Sequence, residues 1–335
     1  MPAAEAMDLA LYHPQHGYYR QPEGPWGFEG KDYYTALDVG PLLGQALCHR
    51  LEAEWRRQDR PAAFTVLEPG AGRGWLGRDL LDAASGAFAE ALRYVHQDDN
   101  PAARRAAEVA LSVHLDSGRA RLAAQVEVLP PFEGAVVSNE LFDALPAQPW
   151  RWDGGRWVRE VLTADGPEWE AVDPGPAAAW FASATQDLEP ADGSTWCEGL
   201  PGLVRTLTAS LRRGLFLAVD YGDTAAALLG KGAGLRRFRA HHVDGRWWED
   251  LGTCDLTADV DFSRLASLLQ AEGLDVLGAD SLSRWIREHA PLRRWEEAWQ
   301  DLPPRERIRR TENLLQLTMP GMLWERFQLL QARRG

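Results

Sequence analysis

Ala63-Phe64-Thr65-Val66-Leu67-Glu68-Pro69-Gly70-Ala71-Gly72-Arg73-Gly74 is the stretch that decides the fold. Its first half is a short apolar run that ends at Pro and Gly, which reads as a strand. Its second half is a glycine turn, and Leu76, Leu80 and Leu81 then recur at helical spacing. Glycines let the backbone pass close to a ligand. The helix start adds N–H groups without intrahelical partners and the positive end of the helix dipole. Such a turn can take a pyrophosphate or the carboxylate end of S-adenosylmethionine. The pattern G-x-G-x-G after Glu68 favours the methyl donor. The dinucleotide spacing G-x-G-x-x-G fails because position 75 is Trp. The bland alternative is a strand-to-helix turn with no ligand.

Upstream, Leu43, Leu47, Leu51 and Trp55 predict a helix from about Pro41 to Arg57. Residues 1–45 are rich in Gly, Tyr and Pro, too irregular for a long helix, and read as an ordered flap over the donor site. Downstream, strands are expected at 94–98, near 124–128 and at 134–138, with a helix at 101–113. This alternation predicts an α/β fold of the Rossmann-like class, with a mostly parallel central sheet and helices on both faces. Trp150 to Val161, turning at Asp153-Gly154-Gly155, reads as a β-hairpin, with a further strand at 168–172. Helices are expected at 176–187 and 200–213. The α/β pattern resumes at 215–222, and a helix at 262–272 and a strand at 274–278 follow. The organisation expected is a flap (1–45), a donor-binding domain (46–146 and 211–335) and an inserted substrate- or partner-binding subdomain (147–210).

Two acidic features follow the sheet. Asp98 closes the second strand, where a carboxylate can take both ribose hydroxyls, with Asp99 as the alternative ligand. Asn139-Glu140-Leu141-Phe142-Asp143-Ala144-Leu145-Pro146 follows the fourth strand, at the carboxyl edge where α/β folds bind ligands. Glu140 and Asp143 could hold a cation or take a proton there. Alternatively, they are acids placed for a helix dipole.

The 335 residues carry a formal net charge of −13, so nucleic acid is not expected as a partner; such a surface suits a cationic substrate, or it simply aids solubility. Cys48, Cys197 and Cys254 form no CxxC pair, and no apolar run is long enough to span a bilayer. The opening residues lack a basic n-region and a long apolar core. A soluble, cytoplasmic protein is therefore expected, with no membrane partner, and a homodimer is allowed. His13/His16 and His241/His242 lack a third ligand at metal spacing, so no metal is expected.

In order along the chain, several motifs resemble the MidA family of methyltransferases, which includes the mitochondrial enzyme needed for assembly of respiratory complex I. They are Leu11-Tyr12-His13-Pro14 with Gly17-Tyr18-Tyr19, then Asp32 to Asp38, then Leu67 to Gly74. Asn139 to Pro146, Asp220-Tyr221-Gly222, Arg236 to His241 and Gly252 to Phe262 follow. The departures are Asp38 for a family Glu, Ala71 for a Pro, Pro69 for a Gly, Asp98 for the ribose Glu, and Ser281 to Ile286.

The resemblance implies S-adenosylmethionine as donor, held by Glu68, Gly70, Gly72, Gly74, Asp98, Asn139 and Thr35. It implies methylation of an arginine side chain on a partner protein, with Asp143, Glu140 and Asp38 as the catalytic carboxylates. A methyltransferase for a small molecule or another side chain, or a non-catalytic assembly factor on the same fold, are the competing readings.

Overall fold

The computed structural model describes residues 1–21, 35–125, 129–185, 189, 192–232, 234–239 and 242–335. The chain divides into two compact units. One holds Thr35–Asn139, Arg205–Asp220 and Leu269–Gly335. The other holds the described residues of Met1–Tyr34, with Glu140–Val204 and Tyr221–Leu268.

The first of these units carries the large sheet. Phe64–Pro69 (β1), Leu92–Gln97 (β2), Ala120–Ala123 (β3) and Phe132–Asn139 (β4) pair in parallel in the order β4, β1, β2, β3. Leu211–Asp223 extends the sheet beyond β4, also in parallel, with Val136 opposite Phe216. Phe327–Arg334 and Asp275–Ser281 complete that edge as an antiparallel pair. Leu215 to Val219 are wholly buried, the pattern of a strand covered on both faces. The helix Leu42–Arg57 forms as its period predicts, and Leu43, Leu47, Leu51 and Trp55 are all buried. It packs on Trp75–Ala83, the helix that follows the glycine turn.

The other unit holds the predicted hairpin within a four-stranded antiparallel sheet, in the order Gly166–Ala171, Trp157–Thr163, Gln148–Trp152, Gly193–Trp196. Trp150, Trp157 and Phe181 form a core with Ala177 and Leu229. A second core is built on Ala3, Ala6, Met7, Ala10 and Leu11.

Several expectations need correction. Ala3–Tyr12 is a regular helix inside the segment read as irregular. Its buried residues recur three and four apart, a signal hidden by the Gly- and Tyr-rich residues after it. The third strand is Ala120–Ala123, earlier than expected, and 126–128 lie outside the described residues. It is a four-residue edge strand of small residues, one leucine and one arginine, so its apolar signal is weak. The helix begun at Leu200 ends at Thr208, because Leu211 enters the sheet opposite Phe132. The unit that holds the hairpin also takes in Tyr221–Leu268.

Close packing of Leu42–Arg57 on Trp75–Ala83 depends on Gly44, where a Cβ would lie 2.6 Å from Asp79 Cβ and 3.1 Å from Leu80 N. Gly44→Ala should therefore destabilise the fold by about 1–3 kcal/mol, the scale of core overpacking. Urea denaturation checks this, and an unchanged midpoint would rule out the contact as a constraint.

Candidate functional site

The donor loop grows out of β1. Gly70, Gly72 and Gly74 all have left-handed backbone, at φ 63°, 52° and 73°. That conformation is open to glycine without steric penalty. Ala71 N–H donates to Gln97 O at 3.1 Å and ties the turn to the end of β2. The Gly72 peptide is then gripped on both sides. Its N–H donates to Asp98 Oδ2 at 2.8 Å, and its carbonyl accepts from His96 Nε2, also at 2.8 Å. His96 is wholly buried, and burial lowers its pKa. A neutral ring with its proton on Nε2 is the form that makes this bond. Gly74 leaves the turn and starts the helix. A Cβ there would come within 3.0 Å of Ala107 Cβ and Leu111 Cδ1, so helix packing fixes that position.

Asp98 Oδ1 also accepts Asn100 N–H at 2.8 Å. A carboxylate has about four lone-pair sites, so Asp98 keeps acceptor capacity for two hydroxyls. Burial pushes its pKa up, and the two backbone donors oppose that rise. Asp99, one residue on, is exposed. Glu68 is buried beneath the turn, where it accepts the Tyr94 hydroxyl. Burial pushes its pKa up to about 8, with Asp98 and Asp79 adding to the rise. Burial thus holds Glu68 toward its neutral form.

Thr35 and Asp38 lie in the same unit as the loop, Asp38 on the short helix Ala36–Val39 and Thr35 at its N-cap. Thr35 caps that helix, its hydroxyl accepting Leu37 N–H. Asp38 Oδ2 accepts Thr35 N–H at 2.8 Å, and Asp38 Oδ1 pairs with Arg73 at 2.7 Å. The Arg73 guanidinium lies 3.6 Å from the Trp75 ring centroid. Asp38 Oδ1 thus tethers the glycine turn through Arg73, while Oδ2 caps its own helix. Asn139 ends β4, half-buried, opposite Val219.

Glu140 continues the chain from Asn139 with φ 51°, a left-handed backbone that costs a side-chain-bearing residue roughly 1–2 kcal/mol. Strain of this sort gathers at functional positions. In the same unit, Asp143 is buried, and its backbone carbonyl accepts Ala258 N–H at 2.9 Å. Burial pushes its carboxyl up to about 6, the nearby Arg236 guanidinium pulls it down, and Asp259 pushes it up. Arg236 grips Asp259 with two bonds, at 2.9 and 2.7 Å. A carboxyl poised near neutrality beside a clamped guanidinium can exchange a proton under ordinary conditions.

A family model of S-adenosyl-L-methionine-dependent methyltransferases matches residues 46–280, well over half the chain. The chain belongs to the MidA family. MidA-family enzymes use S-adenosylmethionine, and the residues around Gly72 fit that donor: a turn of left-handed glycines, a helix start, and Asp98 with acceptor capacity left. The chain is similar to "Protein arginine methyltransferase NDUFAF7 homolog, mitochondrial" of Drosophila melanogaster, 27% identical over 311 residues, covering 82% of this chain and 67% of the relative. It is similar to the Xenopus laevis "Protein arginine methyltransferase NDUFAF7, mitochondrial", 28% identical over 303 residues, with the same coverage. A Burkholderia thailandensis protein solved bound to S-adenosyl-homocysteine shares the fold, at TM-score 0.86 and 24% identity, covering 100% of this chain and 88% of that one.

Within the MidA-family donor unit, the structure brings together Glu68, the glycine turn, Asp98, Thr35 and Asp38. Glu140 and Asp143 belong to the other unit. Sequence reasoning gave no role to His96 or Arg73, and it quoted Arg236 only as the start of a motif. His96 sits two residues before the ribose acid on a strand, so the two could have been read as sharing a face. His13 and His16 stack at 5.0 Å, and His13 Nδ1 accepts the backbone N–H groups of Gln15 and His16, a local turn. His241 lies outside the described residues.

Folded, Glu68 keeps its proton up to about pH 8; unfolded, it loses it near the ordinary 4.5. Between those values the folded chain binds more protons, so this group makes stability fall as pH rises. Glu68→Gln has no proton to lose. Its stability relative to the parent chain should therefore rise steadily across that window and level off above it. Urea midpoints read at a series of pH values check this, and parallel curves for the two proteins would contradict the buried neutral acid.

Proposed function

We propose that this methyltransferase modifies an arginine side chain of a partner protein. The relatives named above as protein arginine methyltransferases support that acceptor. The observation that carries it is Asp143, buried and raised to about 6 beside Arg236. A guanidinium with its pKa above 12 is a poor nucleophile. A neighbouring carboxylate localises its charge and takes the proton it sheds.

S-adenosylmethionine, when bound, supplies a methyl group already activated on a sulfonium. The Gly72 turn and Asp98 orient the donor through its carboxylate end and its ribose. Asp143 would take the proton that an arginine Nη sheds when it accepts that methyl group. Glu140 is the second carboxylate facing the guanidinium charge. Asp38 serves with Thr35 and Arg73 to hold the glycine turn in shape. Alignment of this kind can supply roughly 7–11 kcal/mol of the barrier lowering. The three free cysteines suit a compartment that keeps thiols reduced, and the cytoplasm is our reading for this chain.

Asp143→Asn keeps the shape of the side chain and removes the base. Donor affinity by calorimetry should match the parent protein. Single-turnover transfer to an arginine peptide should fall at least about 100-fold, near 2.7 kcal/mol. The parent rate should climb with pH through about 6 as Asp143 ionises, and the variant should lack that limb. A variant rate within threefold of the parent, or a limb that survives, would remove Asp143 as the base.

A further inference from the structure

We propose that a cleft beside the Asp143 stretch is a docking subsite for a cationic segment of the protein substrate. It has a volume of about 560 Å³ and lies wholly within the unit that carries Asp143. The proposal rests on the arginine-acceptor reading and extends it from one side chain to its flanking residues.

The cleft is acidic by construction. Glu5, Asp8, Asp173 and Glu198 line it, and all four are exposed. Glu5 and Asp8 stand three apart on Ala3–Tyr12, so they share a helix face. Arg159 is the cation among the lining residues, and Glu170 holds it at 2.7 Å. Asp173 and Glu198 are each fixed by one donor, Gly175 N–H at 2.9 Å and the Trp196 indole at 2.7 Å. Trp150 and Trp196 form aromatic walls, one face of Trp196 being covered by the Arg264 guanidinium at 3.3 Å. The Trp150 indole N–H is buried without an acceptor among the described residues. Carboxylates interleaved with indole rings are the chemistry that recognises arginine and lysine side chains on an extended segment.

The cleft is also rigidly joined to the acceptor stretch. Leu145 and Pro146 form one wall, directly after Asp143 and Ala144. Tyr12, on the helix of Glu5 and Asp8, donates to Ala144 O at 2.8 Å. Gln148, also in the wall, bonds Ala4 N–H through its carbonyl and Glu160 O through its amide. A peptide held in the cleft is thereby held in register with residues 140–146.

The test uses the full chain and two fluorescent peptides, one alternating glycine and arginine, the other glycine and glutamate. Anisotropy should show saturable binding of the arginine peptide alone. The surface double variant Glu5→Gln/Asp8→Asn should weaken it at least about tenfold and leave donor affinity unchanged. The control Glu296→Gln/Glu297→Gln, exposed on Leu292–Trp299, removes the same charge elsewhere and should shift binding less than twofold. Equal losses in both variants would mean net charge alone attracts the peptide, and the cleft proposal falls. It falls equally if Glu5→Gln/Asp8→Asn binds like the parent chain. Methyl transfer to the bound peptide is read separately from labelled donor. Selective loss of binding with no transfer would keep the cleft and overturn the arginine acceptor; transfer with no selective loss would do the reverse.

Discussion

One peptide unit, that of Gly72, organises the donor side of this protein. Its N–H is held by Asp98 and its carbonyl by His96. Bonds to charged groups contribute roughly 1.5–3 kcal/mol and neutral ones about 0.5–1.5 kcal/mol, so the pair can fix a turn that glycine alone would leave loose. The three left-handed glycines of the turn have no side chains of their own to hold it. Its shape must come from neighbours, and β2 supplies both. Asp98 fixes the turn and keeps acceptor sites that, in the proposed donor pose, would face the ribose. Arg73 adds a third tether through Asp38, a nearly buried ion pair. Removing either partner there would leave a buried charge without compensation.

The acids of this chain illustrate how burial assigns roles. Glu68 and Asp143 are both pushed up by desolvation, to about 8 and about 6. At Glu68 the neighbouring acids Asp98 and Asp79 add to the rise, and the Tyr94 hydroxyl that it accepts only partly offsets it. Arg236 offsets the burial of Asp143 and leaves it titrating close to neutrality. Burial is the larger influence in both cases, and the presence or absence of a guanidinium decides which carboxyl can serve as a base.

Local chemistry made much of the donor unit legible in the sequence. The run from Phe64 to Gly74 carries its own strand, turn and helix start, and the stripe from Leu43 to Trp55 carries its own period. Elements whose signal is diluted or weak were harder. Ala3–Tyr12 was masked by the aromatic and glycine-rich residues beside it, and Ala120–Ala123 is a short edge strand. Contacts between residues far apart in sequence were not legible at all. His96 meets Gly72 across 24 positions, Arg73 meets Asp38 across 35, and Arg236 meets Asp259 across 23. The donor residues are announced by their motif, whereas the groups that hold them in place are announced only by the fold.

The central claim is that the Gly72 clamp shapes the donor site, and His96→Leu tests it most directly. Leucine fills much of the buried space but cannot donate to the Gly72 carbonyl. Calorimetric titration of the folded variant with S-adenosylmethionine should show affinity reduced by about 10-fold or more, near 1.4 kcal/mol, with the unfolding transition still cooperative. Affinity within twofold of the parent protein would show that the turn keeps its shape without His96, and the account of the donor site would be wrong.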